Sequence, residues 1–358
     1  MRRGIIAIVI LSLLGAIQLA TAVEAATLRP IVYGKAQWEW TGPEGERKIR
    51  VWGGLFAAQG GKARQLTEHA GDREPNVSRD GSTIAFVRKG DLYVMGSDGS
   101  DQRRLTDGPG LDERPQISPN GRYVLFVRRE TRQGPGDLYT VDLAGGQPRA
   151  LSPWPEDDRE AVFSPEGNLI VFVRSLPVPG SVQINDELFA IRPSGTGLVQ
   201  LTHTSQDELI PRFYARGVVF NRLKTARGGP AAIFTMRRNG TGVKLALKRR
   251  VEVDLQAVSP NGRVLVYSSP ARGTWTKYLV GRSLPPHRLS RNSSEYLTFS
   301  PDGHRVAGAF VNNGSEIAPI YTLSSVDVFT GASRFEGESW ELEEGGPVQT
   351  SVDSVIGW

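Results

Sequence analysis

The sequence predicts an all-β fold: a single β-propeller of four-stranded antiparallel blades, with seven blades expected and six as the alternative. Three observations carry this. A unit from Glu74 to Thr106 is followed at once by a second copy from Arg114 to Ser152, each holding an Asp-Gly or Asn-Gly turn and two strands with aromatics. The positions closing successive units, Thr67, Thr106, Ser152, Thr202, Leu247 and Ser290, are 39, 46, 50, 45 and 43 residues apart. That is the repeat length of four-stranded blades and leaves no room for crossover helices. The 41 Gly and 23 Pro among 358 residues supply turns, and 39% apolar content is enough for a sizeable core.

The parts of a unit follow from residue chemistry. In the first full copy the turn Arg79-Asp80-Gly81 precedes the strand Ile84-Ala85-Phe86. A break at Lys89-Gly90 leads to Asp91-Leu92-Tyr93, then the turn Asp98-Gly99 and the closing Arg104-Leu105-Thr106. Asp-Gly and Asn-Gly tolerate the positive φ of tight hairpins. The aliphatic and aromatic triplets suit half-buried strands. One such unit cannot bury both faces, so units must stack.

Taken in order, Leu28 to Thr67 is an incomplete unit that lacks its opening. Two clear copies follow. A third opens at Phe163-Ser164-Pro165-Glu166-Gly167 and closes at Gln200-Leu201-Thr202. The fourth is degraded, with Arg216-Gly217 in place of the turn and Val218-Val219-Phe220 as the strand. The fifth carries Ser259-Pro260-Asn261-Gly262, and the sixth Ser300-Pro301-Asp302-Gly303. The C-terminal stretch Val348 to Trp358 reads as one spare first strand. It is expected to pair with residues 31–67 and close the ring, which removes exposed sheet edges. Six blades remain the alternative if the copy near Arg216 is not a blade.

The N-terminus has the layout of a secretory signal peptide: Arg2-Arg3, an apolar run from Gly4 to about Ala20, then small residues. The expected division is residues 1–25 as signal segment and 27–358 as propeller, with an uncleaved anchor as the competing reading. Export to a periplasm, a cell wall or the medium follows. The chain has no cysteine, so disulfides, thiolate metal sites and lipid attachment at a cysteine are excluded. Net charge is +5, but the basic residues are scattered among acidic ones and form no run. That pattern is a solvated surface rather than a nucleic-acid site.

The Ser-Pro-Asp/Asn-Gly turn, the aliphatic-aromatic strand, the Asp-Leu-Tyr strand and the Arg-Leu-Thr ending together resemble the WD40-like repeat of TolB-type propellers. The resemblance covers about residues 31–358. It implies a propeller and leaves function open, because this repeat serves many unrelated proteins. TolB itself carries an α/β domain ahead of its propeller, so the likeness is to the propeller part alone. No Gly-x-Ser-x-Gly nucleophile elbow occurs.

One register stands out as a candidate site. Asp72, Glu74, Asp112, Glu113, Asp158, Glu160, Asp207, Glu208, Asp254 and Glu295 all lie just before the first strand of a unit. First strands line a propeller's channel, so these carboxylates could ring its mouth as an acidic funnel for a cation or a basic segment. The structural reading, which carries more weight, is that they cap turns and pair with neighbouring arginines such as Arg73, Arg114 and Arg159. Phe86, Phe126, Phe172, Phe220 and Tyr267 recur in register and are expected in the core. The four histidines, His69, His203, His287 and His304, fall in different units. No catalytic residues are assigned and no cofactor is expected, calcium in the channel being a weaker idea. The expected role is a monomeric, non-enzymatic scaffold that binds a protein or peptide, without nucleic acid or stable membrane insertion. The alternative is an extracytoplasmic carbohydrate-active lyase or hydrolase.

Overall fold

The computed structural model describes residues 29–41, 48–152, 155–225, 228–247, 253–269, 273–279, 287–290, 294–315, 318–327, 333–341 and 348–355. The expected signal segment and the last three residues lie outside these. Among the described residues no helix is long and apolar enough to cross a membrane.

The described strands form seven four-stranded antiparallel sheets, each a blade. Blade one is built from both ends of the chain: Val348–Val355 pairs with Ile31–Thr41, placing Gly34 opposite Ser354 and Gln37 opposite Thr350. The spare strand therefore closes the ring as expected. The degraded fourth copy is a complete blade, blade five, with strands Glu208–Tyr214, Gly217–Thr225, Gly228–Met236 and Lys244–Leu245. Its turn is a tight hairpin of Ala215 and Arg216, with Tyr214 opposite Gly217, where an added Cβ would meet the Met236 carbonyl oxygen at 1.9 Å.

The recurring sequence signs have concrete jobs. In the Ser-x-Asp/Asn-Gly turns the serine hydroxyl accepts the amide that opens the second strand, as in Thr83 N to Ser78 Oγ (3.0 Å), Val264 N to Ser259 Oγ (2.9 Å) and Arg305 N to Ser300 Oγ (2.9 Å). The Asp at the third position caps the same turn. Bonds from the Ser78 hydroxyl and from the Ser82 amide and hydroxyl hold the Asp80 carboxyl down to about 2. The closing Thr or Ser of a unit accepts the amide of its third strand: Leu55 N to Thr67, Leu92 N to Thr106, Leu138 N to Ser152 and Leu188 N to Thr202. These hydroxyls are buried, and an unpaired buried amide costs about 1–3 kcal/mol. That cost explains why the ending recurs.

The core lies between blades. Side chains alternate along each second strand, so Ile84 and Phe86 pack toward blade one while Ala85 and Val87 pack toward blade three. The same interleaving joins blades three and four, four and five, five and six, and six and seven. Phe86, Phe126, Phe172, Phe220 and Tyr267 are all fully buried, as their register predicts. Four of them face an aromatic directly across the hairpin, with ring centroids 5.7–6.1 Å apart.

Inter-blade fit gives a first prediction. Gly262 (φ +65°) and Gly121 (φ +70°) occupy the same turn position in different blades. A Cβ on Gly262 would lie 2.2 Å from the Ala215 backbone nitrogen, whereas one on Gly121 meets nothing within 4 Å. Gly121→Ala is expected to cost about 1 kcal/mol through its left-handed backbone alone. Gly262→Ala is expected to cost at least about 2 kcal/mol, because the blade contact must also open. Urea unfolding midpoints of the two variants test this, and equal losses would show that the contact does not matter.

Candidate channel binding site

The ten sequence-predicted carboxylates separate into groups. Four are buried and paired. Arg88 donates through Nε and Nη2 to Asp72 (2.6 and 2.7 Å), Arg128 to Asp112 (2.7 and 2.8 Å) and Arg174 to Asp158 (2.7 Å for both), while Arg222 Nε donates to Glu208 (2.6 Å). Each guanidinium also lies over the two rings of its blade, Arg88 at 5.2 and 4.9 Å from Phe86 and Tyr93 and Arg222 at 5.6 and 4.7 Å from Phe220 and Phe234. The arginine thus ties the first strand to the second and caps the aromatic pair, combining a bidentate ion pair with a cation–π contact. Hydrogen bonding to the paired carboxylate raises the proton affinity of Arg88 and Arg128. Burial raises the Asp158 carboxyl, with Arg174 working against it. The partners are not the neighbouring arginines expected from the sequence, but a second set two residues after each core aromatic.

Of the others, Glu113 lies 3.5 Å from Arg129, Asp207 accepts the Asp186 amide, and Asp254 accepts Asn221 Nδ2. The Glu295 side chain is outside the described residues. Only Glu74 and Glu160 line the channel.

Glu208 has a second neighbour that the sequence did not single out. Glu187 is buried beside it, and burial first, then Glu187, push the Glu208 carboxyl up to about 8. Arg222 and Thr204 donate to Glu208 Oε1, and Asn185 and the Thr204 amide donate to Glu187 Oε1. The Oε2 atoms of both carboxylates are buried without a hydrogen-bond partner. A single proton between them would satisfy both.

The channel runs between the first strands of the blades as a cavity of 910 Å³. Its wall mixes apolar residues, including Pro75, Pro115 and Val162, with polar ones such as Asn76, Gln116, Gln256 and Ser259. Each first strand carries a β-bulge, between Arg73 and Asn76, Glu113 and Gln116, Arg159 and Val162, and Leu209 and Arg212 in blades two to five. The bulged residues Glu74, Arg114, Glu160 and Ile210 all have φ of 53–54°. Such backbone is costly for non-glycine residues and most of all for β-branched isoleucine. It is held by bonds between blades: Glu74 accepts the Arg114 amide, and Glu160 Oε2 accepts the Ile210 amide at 2.6 Å. Asn76 and Gln116 accept the amides of Ile117 and Phe163 in the same way (2.9 and 2.8 Å). The two channel carboxylates are therefore engaged in holding the ring, Glu74 being also 3.2 Å from Arg73.

Three arginines line the channel, Arg79, Arg114 and Arg212, and the last two sit on or just after the bulges. Arg114 is exposed, and its guanidinium makes no hydrogen bond or ion pair among the described residues. Arg212 is partly buried and donates only to the Pro211 carbonyl (2.9 Å). Burial lowers the Arg212 pKa from the ordinary arginine value; Glu160 opposes this and the Arg114 cation adds to it. Arg114 and Arg212 therefore sit on the channel wall outside any ion pair among the described residues, while both channel carboxylates are hydrogen-bonded to backbone amides. No group of three or more Asp, Glu or His side chains is close enough to hold a metal among the described residues.

Comparison with known proteins places the fold. No family model matches the chain. A segment of 59 residues, 15% of the chain, is 41% identical to the uncharacterized peptidase YuxL of Bacillus subtilis and spans 9% of that protein. Among solved structures, TolB from Acinetobacter baumannii aligns over 94% of this chain and 85% of its own, with TM-score 0.50 and 15% identity. An oligogalacturonate lyase from Vibrio parahaemolyticus aligns over 88% of this chain and 92% of its own (TM-score 0.57, 10% identity). A prolyl endopeptidase aligns over 89% of this chain and 50% of its own (TM-score 0.60, 15% identity). In fold the chain is a TolB-like β-propeller of four-stranded blades. At these identities the likeness is one of fold, and function has to come from the site.

Proposed function

We propose that the chain is an exported, monomeric propeller scaffold that binds an extended segment of a protein partner in its central channel, without catalysis. The observation that carries this is the channel itself: 910 Å³, with apolar and polar residues mixed on its wall and side chains from six blades lining it. That size and character suit the pockets that bury most of a ligand of several residues. Export rests on the layout of residues 1–25 and the absence of cysteine. Affinity capture from the native envelope and secreted fraction, run with the wild type and with Ala161→Trp, tests the reading. Ala161 lines the channel, so an indole there narrows it. A partner retained by the wild type and lost by the folded Ala161→Trp protein supports channel binding. Equal capture by both moves the partner elsewhere.

The likeness to the oligogalacturonate lyase, which runs nearly the full length of both chains, favours a second reading: an extracytoplasmic carbohydrate-active lyase or hydrolase with its site in the channel. Screening the purified protein against polysaccharides separates the two. Product formation that disappears in Ala161→Trp supports the enzyme.

A further inference from the structure

We propose that Arg114 and Arg212 hold a carboxylate of the bound peptide, so that the segment entering the channel is acidic and flanked by apolar residues. This rests on the channel-binding reading above and names its chemistry.

The argument begins from contrast within the chain. Arg88, Arg128, Arg174 and Arg222 each meet a buried carboxylate, as burial of a charge demands. Among the described residues Arg212, partly buried, has one carbonyl as its whole complement of partners, although a guanidinium carries five donor hydrogens. The Arg114 guanidinium has none among them. The carboxylates that share the channel, Glu74 and Glu160, are held on the amides of Arg114 and Ile210; Glu160 favours the Arg212 cation, but neither forms an ion pair with Arg114 or Arg212 among the described residues. Removing either carboxylate from that duty would release a left-handed bulge.

The bulges supply a second line. Arg114 is itself a left-handed residue, and Arg212 follows left-handed Ile210 by two positions. Bulges re-aim side chains at the cost of backbone strain. Here they leave both arginines on the channel wall, in no ion pair among the described residues, with Glu160 favouring the Arg212 cation from a distance. Planar guanidinium groups match a carboxylate bidentately, which makes them suited to one anionic group rather than to diffuse charge. The wall around them offers Pro75, Pro115 and Val162 to apolar side chains beside that carboxylate, and polar side chains such as Asn76, Gln116 and Gln256 to the backbone of an extended segment.

The test uses the mature protein and a phage library of random dodecapeptides. Peptides selected on the wild type are synthesised in acid form and with each Asp and Glu replaced by its amide. Both forms are titrated against wild type, Arg114→Gln, Arg212→Gln and Arg212→Lys. Enrichment of acidic residues among apolar ones is expected, with affinity for the acid form at least about tenfold above the amide form. That preference is expected to vanish in Arg212→Gln, shrink in Arg114→Gln and survive in part in Arg212→Lys, all at unchanged melting temperature. Selection without acidic enrichment, no selected peptide at all, or an acid preference untouched by both Gln variants overturns the proposal. An oligogalacturonate that binds more tightly than any peptide, and only while Arg212 is present, overturns the peptide assignment in favour of an acidic saccharide. Failure of the acid preference while capture still depends on an open channel would remove this inference alone; loss of both would remove the binding function too.

Discussion

Replacing Arg174 by methionine is expected to lower the stability of the protein by about 3–5 kcal/mol, the typical cost of leaving a buried charge without its partner. Asp158 and Arg174 are 0% and 5% exposed, and their two bonds of 2.7 Å join the first and second strands of blade four. The guanidinium also caps Phe172 and Phe189 at 5.5 and 5.0 Å. Without it, Asp158 must stay ionised in a dry site or take up a proton. Burial already raises its pKa above the ordinary carboxylate value, and removal of the arginine raises it further. The loss should therefore be smaller at pH 5 than at pH 8, since a carboxyl with a raised folded pKa costs stability as pH rises toward that value. The double variant Asp158→Asn, Arg174→Met should recover much of the loss, because no charge is left to strand. Urea unfolding at both pH values checks it; a small, pH-independent loss would mean that the pair is not a structural tie.

Wild-type stability is expected to fall as pH rises from about 4.5 to about 8, and Glu187→Gln should flatten that fall. The folded-state pKa of Glu208 is about 8, against 4.5 as its ordinary value. Below 4.5 both folded and unfolded chains hold the proton and this group contributes no slope. Between the two values only the folded chain holds it, so each pH unit removes up to about 1.4 kcal/mol. Above 8 the folded site also ionises, and two carboxylates face each other in a buried pocket. Gln at position 187 keeps the carbonyl oxygen that accepts from Asn185 and Thr204, and its amide can donate to Glu208 Oε2. The variant should therefore equal or exceed the wild type at pH 9 while gaining little at pH 5. Parallel stability curves for the two proteins would show that no proton is shared.

Much of the fold was legible because its signs are local. A serine, an Asp or Asn and a glycine within four residues define the turn of four units, and a closing Leu-Thr or Leu-Ser ends five of them. Ring closure was legible as well, since the incomplete unit before Thr67 and the spare strand after Val348 can only complete each other. The ion pairs were within reach too. An arginine follows Phe86, Phe126, Phe172 and Phe220 by two residues, and in three of those blades it lies 16 residues after its aspartate. What strand periodicity could not give is the division between Asp72 and Glu74. Two residues apart, they belong on one face of a regular strand, yet Asp72 is buried against Arg88 and Glu74 lines the channel. The bulge that begins after Arg73 breaks the alternation. Likewise, the Arg114 and Arg212 pair is set by bulges in blades three and five, 98 residues apart in sequence.

The most direct test of channel binding is site-specific photocrosslinking in the native envelope and secreted fraction. A benzophenone side chain would be placed at Ala161 inside the channel or at Val182, which is fully exposed on an outer loop. The account predicts one discrete protein adduct from position 161, absent from position 182 and lost when Arg114 and Arg212 are both changed to Gln. An adduct formed from 182 and not from 161 would contradict it, and would move the binding face from the channel to the outer rim.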